Sequence, residues 1–343
     1  MNSYAGERIK WPYVTHRVDH EAIGSVLPPV AETRPGALVL ARVTKIGRHK
    51  DLENVNGRRL SIFEGDLVAG VLGNRYATDQ YEGAAICTGT SGHILGIGGV
   101  LGQVVSKNER MPDPTELEWI GRLADHAGRP LELRQFGLRP AAPAGGREPR
   151  VILSLGASMN SGKTTTAAQL VRSLYRAGRR VAAAKITGTA CLKDPMLFAD
   201  AGACRVVDFT DFGYPATAGC SREELRRLTF DVVHALRAEQ PEYIVAEIAD
   251  GVFQRETRMM LEDPAIHALV DAVTFAGPDA LSCESGVRLL DGLGYNVLAV
   301  AGPVANGVLG QAEAQAATGR RCLSGAMILG GALVEVLEPA RAA

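Results

Sequence analysis

Two rhythms of apolar and polar residues divide this chain. From Ala37 to Ser106 the apolar residues fall in short runs broken by glycine: ALVLARVTKIG (37–47), RLSIFEGDLVAGVLG (59–73) and HILGIGGVLGQVVS (93–106). Several short strands with glycine turns and no intervening helix predict a small β-barrel or sandwich. One helix is expected at Pro114–His126, where Leu117, Ile120, Leu123 and Ala124 recur at helical spacing.

The rhythm changes after Pro140–Arg150 (PAAPAGGREPR), a proline- and glycine-rich stretch that reads as a linker. Beyond it, strands alternate with helices. Val151–Gly156 is an apolar strand, and Lys163–Ala177 a helix stopped at Gly178. Val181–Thr187 is a strand, and Ser221–Gln240 a helix opened by a capping box of Ser221 with Glu224. Further strands are expected at Tyr243–Ile248, Ala272–Ala276 and Val297–Ala301, with helices near Asp279–Leu293 and Gly310–Thr318. The apolar tail from Leu323 to Leu337 reads as a packed helix. Alternation around continuous apolar strands predicts an α/β domain with a mostly parallel sheet covered on both faces. The expected organisation is a β-rich domain over 1–139, a linker over 140–150 and an α/β domain over 151–343.

Composition narrows the function classes. The 343 residues suit about two domains. A hydrophobic share of 46% excludes a disordered chain, and a net charge of −1 argues against a nucleic-acid binder working by bulk positive charge. No apolar run reaches the roughly 20 residues of a membrane span, and the polar start does not resemble a signal peptide. Six cysteines without a CxxC pair point to reduced thiols. A cytoplasmic location is therefore expected; a homo-oligomer is expected as well. Glycine is in excess, at 39 residues, so tight turns and close backbone approaches are frequent.

The sharpest motif is Ala157-Ser158-Met159-Asn160-Ser161-Gly162-Lys163-Thr164. It fits the P-loop pattern with alanine in the first glycine position, and it lies between a predicted strand and a predicted helix. Backbone N–H groups and a helix N-terminus together make an anion cradle. Gly162 lets the chain pass close to phosphate. Lys163 reaches the β- and γ-phosphates, the Thr164 hydroxyl ligates Mg²⁺, and Thr165 adds a hydroxyl on the α-phosphate side. A P-loop also needs an acidic residue for the metal. The strand YIVAEIADG (243–251) offers Glu247 and Asp250 at the end where such sheets bind ligands. Glu247 is the better choice because it interrupts an apolar run, where a charge without a task is costly. Lys185 ends the second strand and is expected to stabilise a transferring phosphoryl group.

With GASMNSGKTTTAAQLVRSL, VAAAKITGT and YIVAEIADGVF in place, the sequence resembles the dethiobiotin synthetase-like branch of P-loop proteins. Molybdopterin-guanine dinucleotide biosynthesis protein B is a relative in that branch. The resemblance covers roughly Val151–Gly302. It places the family's P-loop lysine and threonine on Lys163 and Thr164, its second-strand lysine on Lys185 and its glutamate on Glu247. It implies ATP and Mg²⁺, with phosphorylation of a carbamate or carboxylate. Two motifs depart from the family: its P-loop acidic residue is missing from Met159-Asn160-Ser161, and its glycine-rich EGAGG becomes Glu247-Ile-Ala-Asp250-Gly251. The β-rich third has no counterpart there.

Secondary candidates follow from position. Asp208 and Asp211 lie between the second and the acidic strand, as metal- or substrate-binding residues do in related enzymes; a turn-forming loop is the alternative. Thr187 and Asp250 are candidate substrate contacts. Arg255 would suit a substrate carboxylate. Asn306, in a loop after a late strand, is a candidate base contact. No guanine motif of the N-K-x-D type is present, which favours ATP and leaves GTP open. In the β-rich third, Gly96-Ile-Gly98-Gly99 reads as a bulge or barrel corner. Asp66, Asn74, Arg75 and Asp79 gather around a turn and are candidates to line a pocket or an interface.

The leading expectation is an ATP- and Mg²⁺-dependent phosphoryl-transfer enzyme of ligase or kinase type, acting on a small-molecule substrate. The alternative is a nucleotide-switched binding or cofactor-assembly protein that contacts a partner through its N-terminal domain. A further option is a P-loop that holds a phosphate-bearing group such as coenzyme A for acyl transfer.

Overall fold

The computed structural model of the chain describes residues 8–29, 31, 34–140, 145 and 148–338. Most of the linker expected over 140–150 lies outside the described residues. Two compact units are present. One comprises Met1–Arg139 with Gly188–Lys193 and Phe209–Gly219; the other comprises Pro140–Thr187, Asp194–Asp208 and Cys220–Ala343. The sequence placed each domain in one contiguous stretch. Instead, two short segments from within the α/β sequence belong to the β-rich unit.

In the β-rich unit, strands Leu67–Leu72, Leu38–Lys45, Glu116–Ala124, Ser91–Ile94 and Val100–Lys107 pair in succession. The last returns to the first through Val100 with Val71 and Leu101 with Leu72, which closes a ring of five strands. Along Leu38–Lys45 alternate residues enter two different cores. Leu38 and Leu40 join Leu95, Leu123 and Ala190, while Val39, Ala41 and Val43 join Ile94, Leu117 and Trp119. Ala190 arrives from the Gly188–Lys193 segment.

The helix expected at Pro114–His126 is a strand, Glu116–Ala124. Leu117 and Trp119 are buried while Glu116 and Glu118 face outward, which is a period of two. The register shift at Trp119/Gly121 then breaks the alternation, so Leu117, Ile120 and Leu123 fall three apart. Gly121 is required there, since a Cβ would lie 1.9 Å from the Leu27 carbonyl oxygen.

The α/β unit is built on seven parallel strands: β1 (Arg150–Gly156), β2 (Val181–Lys185), β3 (Val206–Asp208), β4 (Tyr243–Glu247), β5 (Ala272–Ala276), β6 (Val297–Ala301) and β7 (Arg321–Cys322). Their order is β3-β2-β4-β1-β5-β6-β7. The chain leaves β1 in one direction for β2 and β3, and later passes through β4 to β5 and beyond in the other. That reversal at the sheet centre is where α/β sheets open a crevice at their C-terminal ends. Helix α1 (Lys163–Arg176) covers one face, burying Ala167, Leu170, Val171 and Leu174 against Ile152, Ala183 and Val245. Helices α2 (Lys193–Asp200), α3 (Arg222–Arg237), α4 (Arg255–Leu261), α5 (Pro264–His267), α6 (Ala280–Gly292) and α7 (Val308–Thr318) follow. The Ser221–Glu224 capping box opens α3.

The tail expected as one helix over 323–337 is two, α8 (Gly325–Leu329) and α9 (Ala332–Leu337). Gly331 sits at φ +105° between them, a conformation that interrupts an L-residue helix. Among the described residues no helix is long and apolar enough to cross a membrane.

Candidate functional site

The loop from Ala157 to Gly162 joins β1 to α1 at the centre of the sheet. Asn160 and Gly162 both hold positive φ, 59° and 97°, and Gly162 is the N-cap of α1. The helix therefore begins without a side-chain cap, and its first N–H groups have no internal acceptor. This is the geometry that receives an anion. The loop is gripped from the sheet side at Gly251, where a Cβ would stand 2.2 Å from the Ala157 carbonyl oxygen. Only glycine after Asp250 lets the two backbones meet so closely.

Lys163 is buried, and its ammonium donates to the Ser158 carbonyl at 2.6 Å. Burial pulls its pKa down, while the charges of Glu247 and Asp250 work in the opposite sense. The side chain thus closes over its own loop. Thr164 donates its hydroxyl to Glu247 Oε1 at 3.0 Å. Glu247 is 2% exposed, and its second oxygen, Oε2, is buried with no hydrogen-bond partner. Burial pushes the Glu247 pKa up, and Asp194 adds to that; Lys185, Lys163 and the Thr164 hydroxyl oppose it.

Strand register explains why these groups share one level. Lys185 pairs with Asp208 on one side and Glu247 on the other; Glu247 pairs with Ser154, and Ser154 with Thr274. Partners in a parallel sheet present their side chains to the same face. The result is a buried polar row, Asp208–Lys185–Glu247–Ser154–Thr274, across an otherwise apolar sheet. Ser154 donates to the Lys163 carbonyl at 2.9 Å, which puts the row on the α1 face. Ser154 and Thr274 escape the sequence reading, although the signal that marks Glu247 (a polar residue inside an apolar strand) marks them too. Asp194, in the first turn of α2, is the ion-pair partner of Lys185, and Glu247 Oε1 lies 3.9 Å from the same ammonium.

The donor set fits a small hard cation. One hydroxyl and one carboxylate stand together, with a carboxylate oxygen unsatisfied, and all donors are oxygen. Among the described residues no three or more His, Cys, Asp or Glu side chains converge on a metal position. A cation held here would take its remaining ligands from water and phosphate, as Mg²⁺ does in phosphate sites.

Other sequence candidates separate. Asp208 stands two strands from Glu247, about 10 Å by strand spacing, with Lys185 between them. It does not join Thr164 and Glu247 as a ligand. Asp211 belongs to the β-rich unit, where His16 approaches it at 3.1 Å and Arg17 at 3.6 Å. Those groups partner its charge within the β-rich unit. Thr187 is a structural tie, its hydroxyl accepting from the Ala249 N–H at 2.8 Å. Asp250, at φ 62°, contributes charge beside Lys163. Arg255 is exposed on the first turn of α4 beside Glu256. Thr165 is exposed on α1, and Asn306 is exposed at the end of the 3₁₀ turn Pro303–Asn306. That turn begins at Gly302, where a Cβ would meet the Ser161 carbonyl oxygen at 2.4 Å, so the Asn306 loop is seated against the phosphate loop.

No protein-family model matches the chain, and no curated protein sequence matches it. Among solved structures, it is similar to the signal recognition particle 54 kDa protein of Aeropyrum pernix K1 in complex with GDP. That likeness has 20% identity over 57% of this chain and 50% of the other, with a TM-score of 0.38. It is also similar to the signal recognition particle receptor FtsY of Elizabethkingia anophelis: 18% identity over 46% of this chain and 51% of the other, TM-score 0.33. The GDP complex of that receptor gives 14% identity over 61% and 70%, TM-score 0.36. The chain spans about half the length of the first two.

Proposed function

We propose that this protein binds a nucleoside triphosphate with Mg²⁺ and catalyses phosphoryl transfer to a small metabolite. The observation that carries the reading is the Thr164–Glu247 pair at the mouth of the phosphate loop, with Glu247 Oε2 buried and unsatisfied. A carboxylate in that state is destabilised unless a cation or proton meets it.

The geometry supports the following roles. Loop N–H groups and the start of α1 cradle the phosphates, and Lys163 turns from the Ser158 carbonyl to a phosphate oxygen. Thr164 and Glu247 would hold Mg²⁺, and the ion would supply charge neutralisation at the phosphate oxygens. Lys185 stands on the far side of Glu247, held by Asp194, where it stabilises the group in transfer. Such catalysis is positioning plus electrostatics. The acceptor class carried forward is a carboxylate or carbamate, the chemistry implied by the resemblance to dethiobiotin synthetase. ATP is the proposed nucleotide, with GTP the competing arm of the test.

The test is nucleotide turnover, measured as ADP or GDP release with Mg²⁺ across a panel of carboxylic and amino acids. Stimulation by one acceptor, lost in Lys185→Ala with nucleotide binding retained, supports the reading. Absence of stimulation across the panel counts against it.

One observation favours a second reading. The segments that follow β2 and β3, Gly188–Lys193 and Phe209–Gly219, are built into the β-rich unit. A nucleotide-switched binding protein would use such connections. Hydrogen exchange in those two segments would then differ between the di- and triphosphate states.

A further inference from the structure

The β-rich unit contains a cavity of about 480 Å³ that the phosphate site does not use. This is within the range of small-molecule sites. Its walls carry Arg48, Lys50, Arg59 and Arg75 against a single carboxylate, Asp51. Asp51 is engaged, accepting from the Ser61 hydroxyl at 2.8 Å. Among the described residues Arg48, Lys50 and Arg59 have no ion-pair partner, although ion pairs are frequent elsewhere on this chain. Arg75 is fixed in place: its guanidinium donates to the Leu95 carbonyl and, at 2.6 Å, to Gln80 Oε1.

His49 stands between these cations, and its ring nitrogen Nδ1 is buried with no hydrogen-bond partner. Burial and the neighbouring Arg75 and Arg48 hold its pKa down to about 3, so the ring is neutral, with one N–H donor and one acceptor nitrogen, and it is hydrogen-bonded to the Ile94 backbone. The backbone is shaped around the cavity as well. Gly98 lets the Gly188–Lys193 segment press inwards, since a Cβ would stand 2.2 Å from the Ala190 carbonyl oxygen. Glu53 fixes the same segment by accepting from the Leu192 N–H at 2.8 Å. Thr189 and Cys191 thereby become walls of the cavity.

We infer that this cavity is a second ligand site, for a small organic anion bearing a carboxylate or phosphate group. Four cations against one carboxylate leave an excess positive charge that an anion would neutralise. Arginine forks match both the planar carboxylate and the tetrahedral phosphate. His49 adds a neutral ring to the lining between these cations. This site is independent of the phosphate loop and stands whether or not nucleotide binds there.

The test uses the full chain and two probes, inorganic phosphate and succinate, titrated calorimetrically. Lys163→Ala serves as background, because phosphate would also occupy the P-loop. Binding of either probe to Lys163→Ala, weakened at least tenfold by adding Arg48→Gln and Arg59→Gln, supports the inference; the preferred probe tells phosphate from carboxylate. Binding of neither probe, or binding that survives both added changes, overturns it. The exposed Arg48 and Arg59 allow a second measurement on the unmodified protein: phenylglyoxal labelling read by mass spectrometry. Protection of both arginines by a probe supports the site, and equal labelling with and without it overturns it.

Discussion

The Thr164 hydroxyl and the Glu247 carboxylate meet at 3.0 Å, one from the start of α1 and the other from the end of β4. Glu247 has its other oxygen buried without a partner. This contact joins the Ala157–Gly162 turn and α1 to the acidic strand, and under the proposed function a cation sits beside it. Glu247→Gln keeps the shape and removes the charge. Affinity for the Mg²⁺–nucleotide complex should fall at least about tenfold, equivalent to about 1.4 kcal/mol, while affinity measured in EDTA stays near wild type. An equal fall in both conditions would contradict the metal role.

Lys163 is buried and its pKa is pulled down by that burial, so its charge opposes folding. Lys163→Met retains most of the packing and removes the charge. Its urea-unfolding stability should lie within about 1 kcal/mol of wild type, or above it, while nucleotide binding is lost. A fall of several kcal/mol would make the lysine structural.

The loop position depends on the approach of Gly251 to the Ala157 carbonyl. Gly251→Ala puts a Cβ into a 2.2 Å contact with backbone. One of the two backbones must move, destabilising the fold by about 1–3 kcal/mol. Nucleotide affinity should fall together with stability, in contrast to Lys163→Met. Thermal unfolding with and without nucleotide distinguishes the two variants.

How far these features were legible in the sequence differs from residue to residue. The strand-to-helix turn at Ala157–Gly162 and the placement of Lys185 and Glu247 at the ends of buried strands were legible because local signals agree: a motif in strand–helix context, and charges in apolar strands. Asp208 and Asp211 looked alike in sequence, and tertiary structure separates them. Strand register moves Asp208 away from Glu247, while His16 and Arg17, some 195 positions earlier, claim Asp211. The strand at Glu116–Ala124 imitated a helix because a register shift alters its period. The membership of Gly188–Lys193 in the β-rich unit depends on Gly98 and Glu53, contacts that composition does not encode.

His49 gives a pH dependence with a defined sign. Its pKa in the fold is about 3, below the ordinary 6.5. Between those values the unfolded chain takes up a proton that the folded chain does not. The stability contributed by the neutral ring is therefore whole above pH 6.5 and is lost as pH falls towards 3. The loss should reach roughly 1 kcal/mol per pH unit at its steepest. His49→Gln should flatten the decline of urea-unfolding stability between pH 6.5 and 5. Parallel profiles for the two proteins would show that the ring is solvated.

The most direct measurement is a calorimetric titration of ATP and of GTP, each with Mg²⁺, into the wild-type chain and into Lys163→Ala. The expected result is one saturable site in the wild type for at least one nucleotide, absent from Lys163→Ala. No binding to the wild type, or equal binding to both proteins, would contradict a phosphate site at this loop.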